Sequence, residues 1–283
     1  MRRRILISFA VLSLCLSVIF NSAPGADGQP ITFTIIAQAP GSGPYGYATS
    51  MAKFMKDVLP EGSTVNVVPR GGSMANPTTL NLGQGDVGIA ATSSTQWAWD
   101  GMPEVYGRHG KHTNIRCVSV GLMTTSYSFV VARKEYVEKT GNDTLEKLLN
   151  AAEMPIISIK PPGNIVLPIF RELLKFMGKS LDDYQAAGKL IQVQTSQISE
   201  MMRDGRIDAY FECAPVNNPG LTEIAFTTDL VFLPLPEKVI EDMKTIGMFP
   251  AVMKAGGYRG LEADYSSTAT SNNVIAFKDA PEE

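Results

Sequence analysis

The sequence predicts an α/β protein built from two βαβ-type lobes. Three observations carry this. Short apolar runs alternate with helix-period segments, glycine-rich turns separate them, and the whole alternation occurs twice along the chain.

Ahead of the first lobe, Arg2-Arg3-Arg4 precedes an apolar run over 5–20 and then the small, turn-forming Asn21-Ser22-Ala23-Pro24-Gly25-Ala26. This is the three-part layout of a secretory signal, with cleavage after Ala23 or Ala26, so residues 1–26 are set apart from the fold. Ser8, Ser13 and Ser17 interrupt the run, and it is shorter than the roughly 20 residues a spanning helix needs. Export to the periplasm is expected. Removal of the segment leaves 22 basic residues against 28 acidic ones, a mildly acidic chain that disfavours a nucleic-acid partner.

The first lobe opens with a buried strand over 31–37, followed by Gln38-Ala39-Pro40-Gly41-Ser42-Gly43-Pro44-Tyr45-Gly46-Tyr47. A helix over 47–59 places Met51, Phe54, Met55 and Val58 on one apolar stripe and stops at Pro60-Glu61-Gly62. A strand over 64–69 runs into Arg70-Gly71-Gly72-Ser73 and a helix that continues to Leu82. Gly83-Gln84-Gly85-Asp86 then leads to the strand 87–91. Thr92-Ser93-Ser94-Thr95 starts a short helix carrying Trp97 and Trp99. A polar loop over 103–114 precedes strands at 115–123 and 127–132.

After a short helix at 144–149, the pattern begins again. Strand 156–159, the turn Lys160-Pro161-Pro162-Gly163-Asn164, helix 165–177, strand 191–193, helix 196–203 and strand 207–211 form the second round. A polar stretch at 214–218, a helix near 221–226, strand 230–233, helix 236–246 and a final apolar run at 273–277 complete the chain. If that last strand returns to the first lobe, one lobe comprises 27–128 with 268–283 and the other 129–267. Right-handed crossovers place the strand-end loops on one edge of each sheet.

Those loops share one chemistry. Gly41-Ser42-Gly43, Gly71-Gly72-Ser73 with Asn76, and Thr92-Ser93-Ser94 all precede helices, and Pro162-Gly163-Asn164 does so in the second lobe. Amides at a helix start lack intrahelical acceptors and favour an anion, while glycine lets the main chain approach it closely. Each loop taken singly is equally an ordinary capped helix start; together they form a seat for a carboxylate. Tyr45, Tyr47, Trp97 and Trp99 either wall the pocket or join the core, and Arg70 either clamps a second carboxylate or stays solvated. Phe211 and Glu212 end an apolar strand. Glu212 either receives a ligand amine or marks the strand's arrival at the surface, and Lys160 has similar standing.

His109 and His112 read as solvated loop histidines, so neither a metal site nor a catalytic constellation is predicted, and no cofactor is implied. Cys117 and Cys213 read as two separate buried thiols, with pairing the alternative. The chain reads as a binder, expected to act as a monomer.

The order Gly41 to Tyr47, Gly71-Gly72-Ser73-Met74-Ala75-Asn76, Leu82-Gly83-Gln84-Gly85-Asp86-Val87-Gly88-Ile89, Pro161-Pro162-Gly163-Asn164 and Met202-Arg203-Asp204-Gly205-Arg206-Ile207-Asp208-Ala209-Tyr210-Phe211 resembles the TAXI family of solute-binding proteins of TRAP transporters. The resemblance implies a two-lobed, type II periplasmic binding-protein fold that closes on a glutamate-like amino acid or a dicarboxylate. It also implies delivery to an ion-gradient-driven TRAP permease; a periplasmic sensor of the same fold is the alternative. Family chains run on for a further helical segment, so the resemblance implies that this sequence is short of a closing helix.

Overall fold

A computed structural model describes residues 28–280 apart from 39, 41, 71 and 163. The predicted signal segment, Gly41, Gly71 and Gly163 lie outside the described residues.

Ten strands form one sheet: β1 (Thr32–Ala37), β2 (Thr64–Pro69), β3 (Val87–Ala91), β4 (Ile115–Arg133), β5 (Ile157–Ile159), β6 (Leu190–Gln192), β7 (Ala209–Ala214), β8 (Leu230–Leu233), β9 (Phe249–Met253) and β10 (Tyr265–Phe277). Their order is β2-β1-β3-β10-β4-β7-β5-β6, with β8 beside β4 and β9 beside β10. β2, β1 and β3 are parallel, as are β7, β5 and β6. Between these two flanks, β10 and β4 run antiparallel to each other and to the flank strands they meet. The sheet is therefore mixed, with a parallel βαβ set on either side of two long central strands.

Apolar residues alternate between the faces, as the two-residue strand period requires. Phe33 and Ile35 of β1 and Ile89 of β3 pack under the helix Gly43–Lys56, while Ile36 and Ala90 face the opposite side. Toward the second flank Phe129 and Val131 of β4 and Tyr210 of β7 face one core, and Val130, Ala132 and Phe211 the other. One face thus carries a continuous core along the whole sheet, and the other carries two separate cores. The helix Glu237–Met243 and the 3-10 turn Lys244–Ile246 bridge the flanks on the continuous face. There Trp97 Nε1 donates to the Ile246 carbonyl at 2.8 Å.

Both flanks use the same fastening. Asp86, just before β3, accepts the Thr34 N–H at 2.6 Å, and Asp208, just before β7, accepts the Ile156 N–H at 2.8 Å. In each flank a carboxylate in a glycine turn pins a backbone N–H of the neighbouring strand, within β1 at Thr34 and just ahead of β5 at Ile156. The architectural repeat is thus visible in chemistry as well as in order.

Several sequence expectations need correction. The helix Gly43–Lys56 begins before residue 47, because Ser42 caps it and Pro44 suits the first turn. Its buried stripe is Ala48 and Ala52 with Tyr45, Met51 and Met55, while Phe54 and Val58 face outward at 70% and 68% exposure. The predicted strands 115–123 and 127–132 are one strand, bulged near Gly121, where φ is +70°. β10 begins eight residues before the predicted 273, and β9 and the helices Pro103–Tyr106, Lys134–Thr140 and Leu181–Ala186 were not foreseen. Cys117 is exposed rather than buried, and Cys213 is half-buried; both are free thiols. His112 is fully buried rather than solvated, and its ring bonds Thr78 Oγ1 at 2.8 Å and the Gly110 carbonyl at 2.9 Å. A carbonyl only accepts, so Nδ1 carries the proton and Nε2 accepts from Thr78.

Candidate functional site

Parallel strands in one flank all end at the same edge, and the connecting loops collect there. In this chain the ends of β1, β2, β3, β5 and β7 meet at a cleft of about 500 Å³. The first flank contributes Gln38, Ser42, Gly43, Pro44, Gly72, Ser73 and Ala91. The second contributes Lys160, Asn164, Ile165 and the turn from Cys213 to Pro219, apart from Val216. Ser126 of β4 and Thr270, Ser271 and Asn272 of β10 line it from the central strands.

Helix starts from both flanks border this space. Ser42 Oγ accepts the Tyr45 N–H at 3.3 Å and caps the helix Gly43–Lys56. The helix Gly72–Asn81 starts at Gly72, whose φ of +76° suits glycine, and Gln38 Nε2 donates to Ser73 Oγ at 2.5 Å, tying two loops together. Across the cleft, Asn164 Oδ1 accepts the Val166 N–H at 3.0 Å and organises the start of the helix Val166–Phe176. First-turn amides of these helices lack intrahelical acceptors, so the helix starts make the cleft favourable to negative charge.

Other predicted residues stand behind the wall. Thr92, Ser93 and Ser94 tie the wall together instead of lining the cleft. Thr92 Oγ1 lies 2.8 Å and Ser93 Oγ 3.2 Å from Thr270 Oγ1, and Ser94 Oγ donates to the carbonyls of Ser73 at 2.9 Å and Ala91 at 3.0 Å. Asn76 is fully buried and donates to the Ile89 carbonyl at 2.8 Å. Tyr45 and Tyr47 pack against the core beneath β1, and Phe211 stacks on Phe170 with centroids 4.9 Å apart. Pro162 does not border the cleft. Trp97 is buried, and Trp99 is 46% exposed with the Arg116 guanidinium 5.9 Å above its ring. Arg70 donates to Gln84 Oε1 at 2.9 Å on the surface.

Glu212 is neither at the surface nor in the open cleft. It is 1% exposed, and its carboxylate accepts from Tyr210 O–H, from Cys213 N–H at 2.9 Å, and from Lys160 Nζ at 2.6 Å. Burial, and then the neighbouring carboxylate, push the Tyr210 hydroxyl well above its ordinary value, so it remains a donor. Cys213 lines the cleft, yet burial and then Glu212 push its thiol up to about 12 and keep it protonated.

Sequence reasoning missed Gln38, Ser126, Asn217, Asn218 and the Thr270–Asn272 run. Pro215-Val216-Asn217-Asn218-Pro219 carries a signal: it is a further strand-to-helix turn rich in Asn and Pro. Asn217 is the one non-glycine residue with positive φ among those described, at +64°, and Asn218 Oδ1 caps the helix Pro219–Thr227 by accepting the Leu221 N–H at 3.1 Å.

Fold and site together define a mixed α/β protein with a polar, small-molecule-sized cleft at its strand ends. The chain belongs to the NMT1-like family, which matches residues 36–283. Solved structures with a similar course include the periplasmic aliphatic sulphonate binding protein of Escherichia coli. That protein is 10% identical, with 88% of this chain and 66% of that one covered and a TM-score of 0.46. MatC of Rhodopseudomonas palustris, solved with bound malate, is 13% identical over 89% of this chain and 80% of that one, with a TM-score of 0.47. A binding protein component of an ABC phosphonate transporter from Pseudomonas aeruginosa is 12% identical over 90% and 71%, with a TM-score of 0.46. This chain therefore spans just under two thirds of the Escherichia coli protein. The sulphonate and phosphonate proteins are named as binding proteins, not as enzymes.

Proposed function

We propose that this chain is a periplasmic solute-binding protein that takes a small organic acid into the cleft and passes it to a membrane permease. The two flanks act as lobes, residues 27–128 with 268–283 forming one and 129–267 the other. The observation that carries this reading is the meeting of helix starts from both flanks, at Ser42–Gly43, Gly72–Ser73 and Asn164–Ile165, on one polar cleft. Among the described residues, β4 and β10 alone join the flanks within the sheet, so bending at these strands changes the width of the cleft and lets it close on a solute. The basic and apolar N-terminal segment supports export. The motif order resembling TAXI proteins favours a TRAP permease as the recipient and a glutamate-like acid or dicarboxylate as the cargo.

A thermal-shift titration with amino acids, dicarboxylates and keto acids tests the reading. Ligand at a hundred times Kd stabilises the folded chain by about 2.7 kcal/mol, which raises Tm by several degrees. A panel in which no small acid moves Tm contradicts it.

A further inference from the structure

Among the described residues that line the cleft, Lys160 is the one acidic or basic residue; the others are Ser, Thr, Asn, Gln, Cys, Gly, Pro, Ala and Ile. Its ammonium has one partner among the described residues, Glu212 Oε2 at 2.6 Å, and its side chain is 22% exposed where that of Glu212 is 1%. An ammonium has three donors, so two N–H bonds of Lys160 remain for a guest. Glu212 cannot turn toward a guest in its place. Tyr210 and the Cys213 amide hold its two oxygens from the protein side.

The charge balance has a consequence. The Lys160–Glu212 pair is neutral, so an incoming anion meets one oriented ammonium and the partial positive charge of the helix starts, against a wall of neutral hydrogen-bonding groups. One carboxylate is well matched there. A second one has no second cation to meet among the described lining residues: the rest of the wall is neutral hydroxyls and amides, and the helix starts supply only partial charge against the cost of taking it out of water.

We propose that the cleft selects a singly charged acid, its carboxylate seated on Lys160 and its far end a neutral hydroxyl or amide. Lys160 sets the specificity and Glu212 is a positioning residue that holds the ammonium. The proposal rests on the solute-binding reading and narrows it away from dicarboxylates.

The test uses probes of one shape and three charges: succinamide, succinamate and succinate, with the corresponding glutarate and malate sets. Calorimetric titration of the wild-type protein is expected to give tighter binding for the monoacid monoamide than for the diacid, by at least about tenfold. Lys160→Met should weaken the monoanion by about tenfold or more and leave the diamide unchanged. Glu212→Gln removes the buried negative charge and should narrow or reverse the preference for monoanion over dianion, a change that a merely structural role would not produce. Diacids binding as tightly as monoacids to the wild type would overturn the proposal while leaving the solute-binding reading intact, and this arm needs no variant to fold. Unchanged monoanion affinity in Lys160→Met would also overturn it. Binding by no member of any set would remove both.

Discussion

Thr270→Val isolates the hydroxyl knot that fixes the first-flank wall of the cleft. Thr270 is 3% exposed, and its Oγ1 lies 2.8 Å from Thr92 Oγ1 and 3.2 Å from Ser93 Oγ. Valine keeps the shape and removes only the hydroxyl. Thr92 Oγ1 retains the Ser271 N–H at 3.2 Å, whereas the fully buried Ser93 hydroxyl is left with no side-chain partner among the described residues. A neutral hydrogen bond contributes about 1 kcal/mol and a stranded buried hydroxyl costs about 1–3 kcal/mol, so a loss of about 2 kcal/mol is expected after the gain from valine's extra methyl. For a chain of this size that lowers Tm by about 4–8 °C, measured by circular dichroism melting. Adding Ser93→Ala removes the stranded group and should recover part of the loss, so the two changes are not additive. A Tm within about 1 °C of wild type for Thr270→Val would refute the knot.

Further outcomes follow from burial and backbone. Burial, more than the nearby His109, lowers the His112 pKa below its usual 6.5, with the Gly110 carbonyl partly offsetting it. The unfolded chain therefore binds the proton more readily. The contribution of His112 to stability is fully present above about pH 6.5 and is lost as pH falls through the lower folded value, so urea titrations of His112→Asn should show a flatter acid limb than wild type. In the native protein, a thiol reagent should modify exposed Cys117 faster than half-buried Cys213, whose thiol burial and then Glu212 hold protonated. Gly72→Val places a side chain at φ +76°, at a cost of about 1–2 kcal/mol, yet its Cβ meets nothing within 4 Å. It should fold with a modestly lower Tm and lose the ligand-induced shift in a thermal-shift assay.

The parallel flanks were legible because their strands are apolar runs bounded by glycine turns, as at 31–37 and 87–91. β10 was largely hidden. Its first half, Tyr265-Ser266-Ser267-Thr268-Ala269-Thr270-Ser271-Asn272, has no apolar period; it buries hydroxyls instead, several held by long-range contacts such as Ser267 to the Ser128 carbonyl and Ser271 to the Leu122 carbonyl at 3.1 Å. β9 contains Pro250, which cannot donate a ladder hydrogen bond, and its edge position accommodates it. Of the site, the helix starts were legible from local chemistry. The meeting of Thr270 with Thr92 joins residues 178 positions apart, and only the folded sheet brings it about. Likewise, the burial of His112 depends on Thr78 from a distant helix, which no local pattern in its lysine-containing loop announces.

Amide NMR spectra recorded while a small monocarboxylic acid is added address the central claim most directly. The account predicts that the largest shifts fall on the backbone amides of Gly43, Ser73 and Ile165, from both flanks together, and saturate with a single affinity. Shifts confined to one flank, or centred away from these helix starts, would contradict it.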